Sequence, residues 1–297
     1  MKKKPRYAVL LAAKEGENWI EDQIKSILFQ KNVLVDIYIS IDKSKDKTEL
    51  ICRTLAKKYS NLKLVKKNNL SKSSSSKNFF WLIANVNYST YDYVALADQD
   101  DIWFEDKLVR AKHCLKKYNV DGYSSNVTCL YPGGEKKELT KCTIQSKYDF
   151  LFESAGAGCT YVFVVQKFEL LKCFIKENFR TVSKLKNHDW FIYSFFRSRG
   201  FSWFIDKKST MLYRQHGSNL MGANNNYKAV AKRLTMIFSG WYKNEVEKNY
   251  SIIRMGICNN NTFNVRSKWK CILYFYQLRR EFFHKFFLLS LILFGIY

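Results

Sequence analysis

Tyr93-Val-Ala-Leu-Ala-Asp-Gln-Asp-Asp-Ile-Trp103 is the stretch on which the fold turns. Its first five residues form an apolar run suited to a strand covered on both faces, and Asp98, Asp100 and Asp101 follow at once. Several carboxylates on a tight turn repel one another and require a counter-charge. Hard divalent cations such as Mg²⁺ or Mn²⁺ prefer such oxygen ligands. Mg²⁺ typically combines one or two protein carboxylates with substrate phosphates, so the turn points to a metal and a diphosphate ligand. The alternative makes the acids an N-terminal cap for a helix over Phe104–Tyr118, where the helix dipole favours negative charge.

Upstream, strand and helix patterns alternate. Tyr7–Ala13 is a short buried-strand run, and Trp19/Ile20, Ile24 and Ile27/Leu28 recur at helical spacing behind an Asn18–Glu21 capping-box pattern. Val35, Ile37, Ile39 and Ile41 alternate with polar residues as a strand does. Asp46 and Glu49 then introduce a helix with Ile51, Leu55 and Tyr59 on its buried stripe. Leu62–Val65 is a strand candidate and Asn78–Val86 an apolar helix. Such repetition predicts an α/β fold with a mostly parallel sheet and helices on both faces, where ligands sit beyond the carboxyl ends of the strands. Two of those ends carry acids: Asp42 after Ile41, and the Asp98–Asp101 turn.

Downstream the pattern is less regular. Tyr123–Tyr131 reads as a strand turning at Pro132-Gly133-Gly134, and a small-residue stretch, Ser154–Thr160, precedes the apolar run Tyr161–Val165. Lys167–Phe174 and Trp190–Phe196 read as helices, Phe201–Ile205 as a strand. Gly156 and Gly158 permit either a turn or a close approach of another group to the backbone. Ser71–Lys77, Asn224–Asn226 and Asn259–Asn261 read as loops and turns.

The 297 residues carry 50 Lys+Arg against 26 Asp+Glu, a net charge of +24, which predicts an anionic partner: nucleic acid, an acidic membrane face or a phosphorylated substrate. With 47% hydrophobic residues the chain is not mainly disordered, and 2 Pro and 12 Gly exclude a collagen-like or Pro-rich architecture. The 8 cysteines form no C-x-x-C pair, so a zinc site is not expected, and reduced thiols in a cytosolic protein follow. Met1-Lys-Lys-Lys before Tyr7–Ala13 resembles a short signal peptide, but the apolar run suits a basic tail leading into a first strand better.

From Ala223 the composition shifts: residues 223–297 hold 12 Lys+Arg against 3 Asp+Glu. The uncharged end, Phe286–Tyr297, is well short of the ~20 apolar residues needed to span a bilayer. We therefore expect residues 1–222 to form the main domain and residues 223–297 a basic, aromatic-rich helical segment lying on an anionic membrane. The alternative packs its last helix on the core or on a partner copy.

Tyr7–Leu28, Ile39–Thr48, Asp98–Leu108, Asn187-His-Asp-Trp190 and Tyr213–Gly222 together resemble the family-2 glycosyltransferases, inverting enzymes of the GT-A fold that use nucleotide-activated sugars. The last two blocks are similar to the bacterial rhamnosyltransferase-type branch that builds surface polysaccharides. The resemblance runs in order over residues 7–222. It implies that Asp42 hydrogen-bonds the donor base, that Asp98 and Asp100 engage the donor ribose and a metal-bound diphosphate, and that Asp189 is the catalytic base. His216 stands where related enzymes place a further metal or phosphate contact. The chain departs at Ile41-Asp42, where one acid of the usual pair remains. It departs again at Ala13-Lys14-Glu15, which replaces a common Thr-Tyr-Asn; Ala13 and Glu15 are then donor contacts through their backbone groups.

The chemistry suits these residue types, since a sugar hydroxyl needs a carboxylate to take its proton and the departing diphosphate needs electrostatic stabilisation. On the acceptor side Trp103 and Trp190 are candidates to floor a sugar, with core packing as the alternative. His188 either tunes Asp189, binds acceptor or simply starts a helix, and Arg214 is a candidate for phosphate or a surface ion pair. The expected function is metal-dependent (Mg²⁺ or Mn²⁺) hexosyl or deoxyhexosyl transfer from a nucleotide-sugar to a lipid-linked or growing surface glycan, at the inner face of the cell membrane. The competing classes are a basic nucleic-acid-binding protein, against which no helix-turn-helix, zinc-finger or RRM pattern is present, and an inactive membrane-peripheral scaffold.

Overall fold

The structure, a computed structural model, describes residues 3–66, 74–140, 142–216, 227–255 and 263–297. In chain order the first half is β1 (Arg6–Ala13), α1 (Ile20–Leu28), β2 (Leu34–Ile41), α2 (Thr48–Lys58), β3 (Leu62–Leu64), α3 (Ser75–Asn85), β4 (Tyr93–Ala97), β5 (Ile102–Trp103), α4 (Lys107–Lys117), β6 (Gly122–Ser125), β7 (Val127–Leu130) and β8 (Lys136–Leu139). The second half is β9 (Val162–Val164), α5 (Val165–Glu177), α6 (Phe179–Val182), α7 (His188–Ser198), β10 (Trp203–Asp206), β11 (Met211–Arg214), α8 (Tyr227–Phe238), α9 (Trp241–Ile253), α10 (Lys268–Leu273) and α11 (Phe282–Leu293).

A seven-stranded sheet, ordered β10-β6-β9-β4-β1-β2-β3, forms the centre. Its pairs are parallel except for β9, which runs antiparallel to β4 and β6. The strand period of two divides β1 between two cores. Ala8, Leu10 and Ala12 face the side holding α3, α5 and α7, while Tyr7, Val9, Leu11 and Ala13 face α1, α2 and α4. Such two-sided burial is why β1 and β4 read as unbroken apolar runs. A smaller sheet, β5-β11-β7-β8, stands beyond the carboxyl ends of β4 and β6 and carries the Asp98–Asp101 turn against Arg214.

Several local expectations are corrected. The Asn18–Glu21 capping box does not form: Trp19 is the cap residue of α1, and the Gly16 carbonyl takes the Trp19 and Ile20 amides instead. Asp46 does serve α2, accepting the Thr48 amide at 3.1 Å, but Glu49 pairs with Arg53. Tyr123–Tyr131 is two strands in two sheets, split at Asn126, whose side chain binds the Lys207 carbonyl and the Cys142 amide. The Phe104–Tyr118 helix begins only at Lys107, with β5 between it and the acids, so the capping alternative for Asp98–Asp101 fails. Ser71–Ser73, Asn224–Asn226 and Asn259–Asn261, and the Gly217–Gly222 part of the Tyr213–Gly222 block, lie outside the described residues.

The described cysteines are all free thiols. The C-terminal segment joins the first core: Val246, Tyr250, Ile252, Cys271, Leu278, Leu288 and Ile292 are buried in it, and Tyr242 donates to the Phe152 carbonyl at 2.7 Å. On α11 the two faces differ. Leu288, Leu291 and Ile292 pack inward, whereas Phe282, Phe283, Phe286, Phe287 and Leu293 are exposed, as is Phe294 just beyond it. Among the described residues no helix is long and apolar enough to cross a membrane.

Candidate active site

The ends of β1 and β2 meet where the Asp42 amide donates to the Ala13 carbonyl at 2.8 Å, leaving Asp42 buried just beyond the carboxyl end of β2. The loop after β1 is tied down amide by amide. Lys14 donates to Gln99 Oε1 (2.6 Å), Glu15 to Ser44 Oγ (3.0 Å), Gly16 to Thr48 Oγ1 (2.7 Å) and Glu17 to Asp46 Oδ2 (3.0 Å). Four consecutive donors are thus already engaged, and the Ala13 carbonyl with them. The Glu15 amide is therefore turned to Ser44, and Glu15, at φ +50°, keeps an exposed side chain there. A Cβ on Gly16 would come within 2.6 Å of Gln99 Oε1, so any larger residue there would push the Gln99 amide off Lys14.

Gln99 returns the bond by donating to the Lys14 carbonyl at 2.7 Å, and Gln23 donates to the Asp98 carbonyl at 2.9 Å. The acidic turn is held from the other side by β11. Arg214 gives its amide to Asp101 Oδ1 (3.3 Å), its Nε to the Asp100 carbonyl (2.9 Å) and an ion pair to Asp22 (3.5 Å). Arg214 is therefore a brace for the turn. His216 Nε2 lies 2.8 Å from Asp100 Oδ2, and its ring stacks on Trp19 at 4.0 Å.

Asp98 turns to different neighbours. Its carboxylate, that of Asp101 and the Cys159 sulfur lie within 4.8 Å of one another. Burial, then Asp100 and Asp189, push the Asp98 carboxyl up to about 7. Burial raises Asp101 well above the usual carboxylate range and Cys159 well above the usual thiol range. A neutral thiol is a poor ligand for a hard cation. Behind them Lys107 is fully buried, its Nζ 4.7 Å from the Trp103 ring, and burial brings it down to about 8.

The third corner belongs to α7. Asp189 lies in its first turn, where burial pushes the carboxyl up to about 6, while the Trp190 amide (2.8 Å to Oδ1) and the Ser154 hydroxyl pull it back. Residues 158 and 159 bridge the two acidic corners. A Cβ on Gly158 would come 3.1 Å from Asp189 Cβ and 2.8 Å from His188 Nε2, and the next residue's thiol touches Asp98 and Asp101. Asp98 and Asp189, far apart in the chain, thus face one another across this turn.

His188 is wedged rather than presented. Its ring stacks on Phe79 at 4.1 Å, Nδ1 lies 3.4 Å from Ser76 Oγ, and burial drops it to about 3, so it is neutral. The two tryptophans are core: Trp103 is 3% exposed, and Trp190, 6% exposed, donates its indole N–H to the Phe150 carbonyl. Neither shows a face on which a sugar could stack. The sequence pattern singled out neither Gln99, Trp19, Lys107, Cys159 nor Ser154 as site residues. Gln99, inside Asp98–Asp101, and Ser154 and Cys159, in the small-residue stretch, had at least a positional signal.

A parallel sheet with acids at the carboxyl ends of β2 and β4, and a further carboxylate across from them on α7, is the GT-A arrangement of a glycosyltransferase. The chain belongs to the family described as glycosyl transferase family 2, whose profile matches residues 8–207. It is 40% identical over 289 residues to the dTDP-rhamnosyl transferase RfbG of Shigella flexneri, covering 97% of this chain and 100% of that one. Among solved structures, residues 1–349 of S. aureus TarS in complex with UDP-GlcNAc superpose with a TM-score of 0.52 at 13% identity, over 92% of this chain and 81% of that one. The mannosyltransferase PcManGT of Pyrobaculum calidifontis, in complex with GDP-Man and Mn²⁺, gives 0.50 at 12% identity, over 99% and 86%. These structures share the fold.

Proposed function

We propose that this glycosyltransferase moves rhamnose, with inversion, from dTDP-rhamnose to a hydroxyl of a lipid-linked or growing surface glycan. The full-length likeness to RfbG supports this donor. The reaction follows from one observation: two carboxylate corners of opposite character meet across Gly158 and Cys159.

Asp189 is the base. Its carboxylate takes the acceptor hydroxyl proton as that oxygen attacks the anomeric carbon from the face opposite the diphosphate. The bond to the diphosphate breaks, and the nucleotide leaves with the electron pair. A base raised to about 6 is still ionised near neutrality yet more basic than an ordinary aspartate. Asp42 serves the donor base from the buried end of β2.

The residues present fit a divalent cation. Asp100 would supply an oxygen ligand and His216 an imidazole nitrogen, Asp98 would join them by turning from Asp101 and Cys159, and a cation would offset the burial and the neighbouring Asp100 and Asp189 charges that raise Asp98. Bound there, Mg²⁺ or Mn²⁺ would stabilise the negative charge of the departing diphosphate. The enzyme docks peripherally on the cytoplasmic face of an anionic membrane through the exposed aromatics of α11 and their basic surroundings. The test is nucleoside diphosphate release from a panel of nucleotide-sugars, with and without Mn²⁺ or Mg²⁺, wild type beside Asp100→Ala. We expect metal-dependent release from dTDP-rhamnose that Asp100→Ala loses; release indifferent to both would overturn the metal and its ligands, and release from another donor alone would overturn the sugar.

A further inference from the structure

The turn 152–156, which brings Ser154 beside Asp189, is held largely by residues of the C-terminal segment. The Phe152 carbonyl accepts from Tyr242 and, at 3.0 Å, from Arg279 Nη1. Glu153 Oε1 accepts the Arg280 amide at 2.7 Å, and its other oxygen faces the guanidinium groups of Arg279 and Arg280, each at 3.6 Å. The Ser154 carbonyl accepts from Arg280 Nη2 at 2.6 Å. From beneath, Tyr161 accepts the Ala155 amide at 3.0 Å. The Arg280 side chain is 5% exposed, and its second arm, Nη1, reaches Asp149 at 3.3 Å. Asp149 is itself bound by Tyr193 and Arg197 in the core.

One hydrogen decides what this clamp does. The Ser154 hydroxyl donates to the Gly156 carbonyl at 3.0 Å and lies near enough to the Asp189 carboxylate to hold its acidity down, but it has a single proton to give. A small shift of the turn decides which acceptor receives it. The planar guanidinium of Arg280 grips Asp149 and the Ser154 carbonyl at once, a fork that a lysine ammonium cannot reproduce.

We propose that Arg280 is a positioning residue for the transfer reaction, holding Ser154 so that its hydroxyl orients the Asp189 carboxylate toward the acceptor. The inference rests on the reading of Asp189 as base. It also makes the C-terminal segment part of the catalytic apparatus, since Arg280 stands directly before the helix that bears the exposed aromatics.

Full-length Arg280→Met, Arg280→Lys, Ser154→Ala, the Arg280→Met/Ser154→Ala pair and Asp189→Asn are compared in steady-state transfer, with circular dichroism as the control for folding. Arg280→Met should lower kcat about tenfold while donor KM stays within about twofold, the pattern of a misaimed base. Arg280→Lys should recover part of that loss, because it restores charge beside Asp149 without the fork. Ser154→Ala should lose a similar amount, and the pair should be no worse than its worse member. Additive losses, wild-type kcat in Arg280→Met, or parallel changes in kcat and donor KM would overturn the proposal. Should Arg280→Met fail to fold, Arg280→Lys alone and combined with Ser154→Ala decides by the same rule: a shared loss supports the clamp and independent losses overturn it. Asp189→Asn separates the two readings. Retained turnover there removes the base itself, whereas an inactive Asp189→Asn beside unaffected Arg280 and Ser154 variants removes only the clamp.

Discussion

The two acidic corners of the crevice are built on opposite principles. Asp98, Asp100 and Asp101 crowd together after β4, where Arg214 and His216 meet them from β11 and its continuation, and Lys107 lies buried behind. Asp189 stands apart at the start of α7, supported by the Trp190 amide and one hydroxyl, with no cation among the groups that set its acidity. A crowd of carboxylates, two of them pushed toward the protonated form by burial and by one another, is suited to an added positive charge. In our reading Asp189, buried and with no cation beside it, is placed to gain and lose a proton. Environment thus divides the labour between chemically identical side chains.

The sharpest way to break the comparison is Asp189→Asn, which keeps shape and removes the proton acceptor. We expect kcat to fall by about 10²–10⁴-fold, the usual contribution of a general base. Binding of dTDP-rhamnose, measured calorimetrically, should change little. Near-normal turnover would remove the distinction between the corners altogether. Asp100→Ala should act on the other side, weakening metal-supported diphosphate release on the order of 10²-fold, the scale of removing one preorganised electrostatic contact. His216→Ala should follow in the same direction with a smaller loss. If either variant instead behaves like Asp189→Asn, with donor binding intact and only kcat lost, the division of roles is wrong.

A gentler test reads acidity. The base must be ionised to work, so kcat/KM should decline as pH falls through the Asp189 value of about 6. The Ser154 hydroxyl stabilises the ionised form, so Ser154→Ala should raise that value and move the acid limb toward neutrality. A limb that stays in place shows that another group controls it.

Much of the donor corner was legible because its strands are buried on both faces. β1, β2 and β4 read as apolar or alternating runs whose ends needed no tertiary knowledge to find. What escaped depended on partners distant in sequence. β5 and β11 are two and four residues long and show no period before they pair with each other. The break at Asn126 is hidden inside a run with continuous strand character, because changing sheets costs no change in side-chain pattern. Trp103 and Trp190 read alike as sugar floor or core, and only burial separates the two. Arg279 and Arg280 counted merely as positive charge in a basic tail, although they are spent inside the protein on Glu153, Asp149 and two carbonyls. The base corner was the less legible because its supports, Ser154 and Gly158, are small residues chosen for what they allow nearby.

The smallest effect on chemistry is expected where neither corner is touched. Phe283 and Phe294 are 82% and 81% exposed at opposite ends of α11, too exposed for either to be held by the core. Fully burying one phenylalanine is worth roughly 1.5–3 kcal/mol, so even partial insertion of both would change membrane partitioning by at least about tenfold. The net charge of +24 adds a long-range attraction to acidic lipid that does not depend on these rings. Salt separates the two contributions, because it screens charge and leaves apolar insertion intact. Phe283→Glu/Phe294→Glu should therefore release the enzyme from phosphatidylglycerol-containing vesicles at about 0.3 M salt, conditions under which the wild type still sediments. Transfer to a water-soluble acceptor should remain at the wild-type rate, since both rings are exposed and neither is among the groups that hold the 152–156 turn. Sedimentation equal to wild type would show that α11 does not insert. Loss of transfer to the soluble acceptor would show instead that this helix supports the base corner through its outer face, erasing the separation between docking and catalysis.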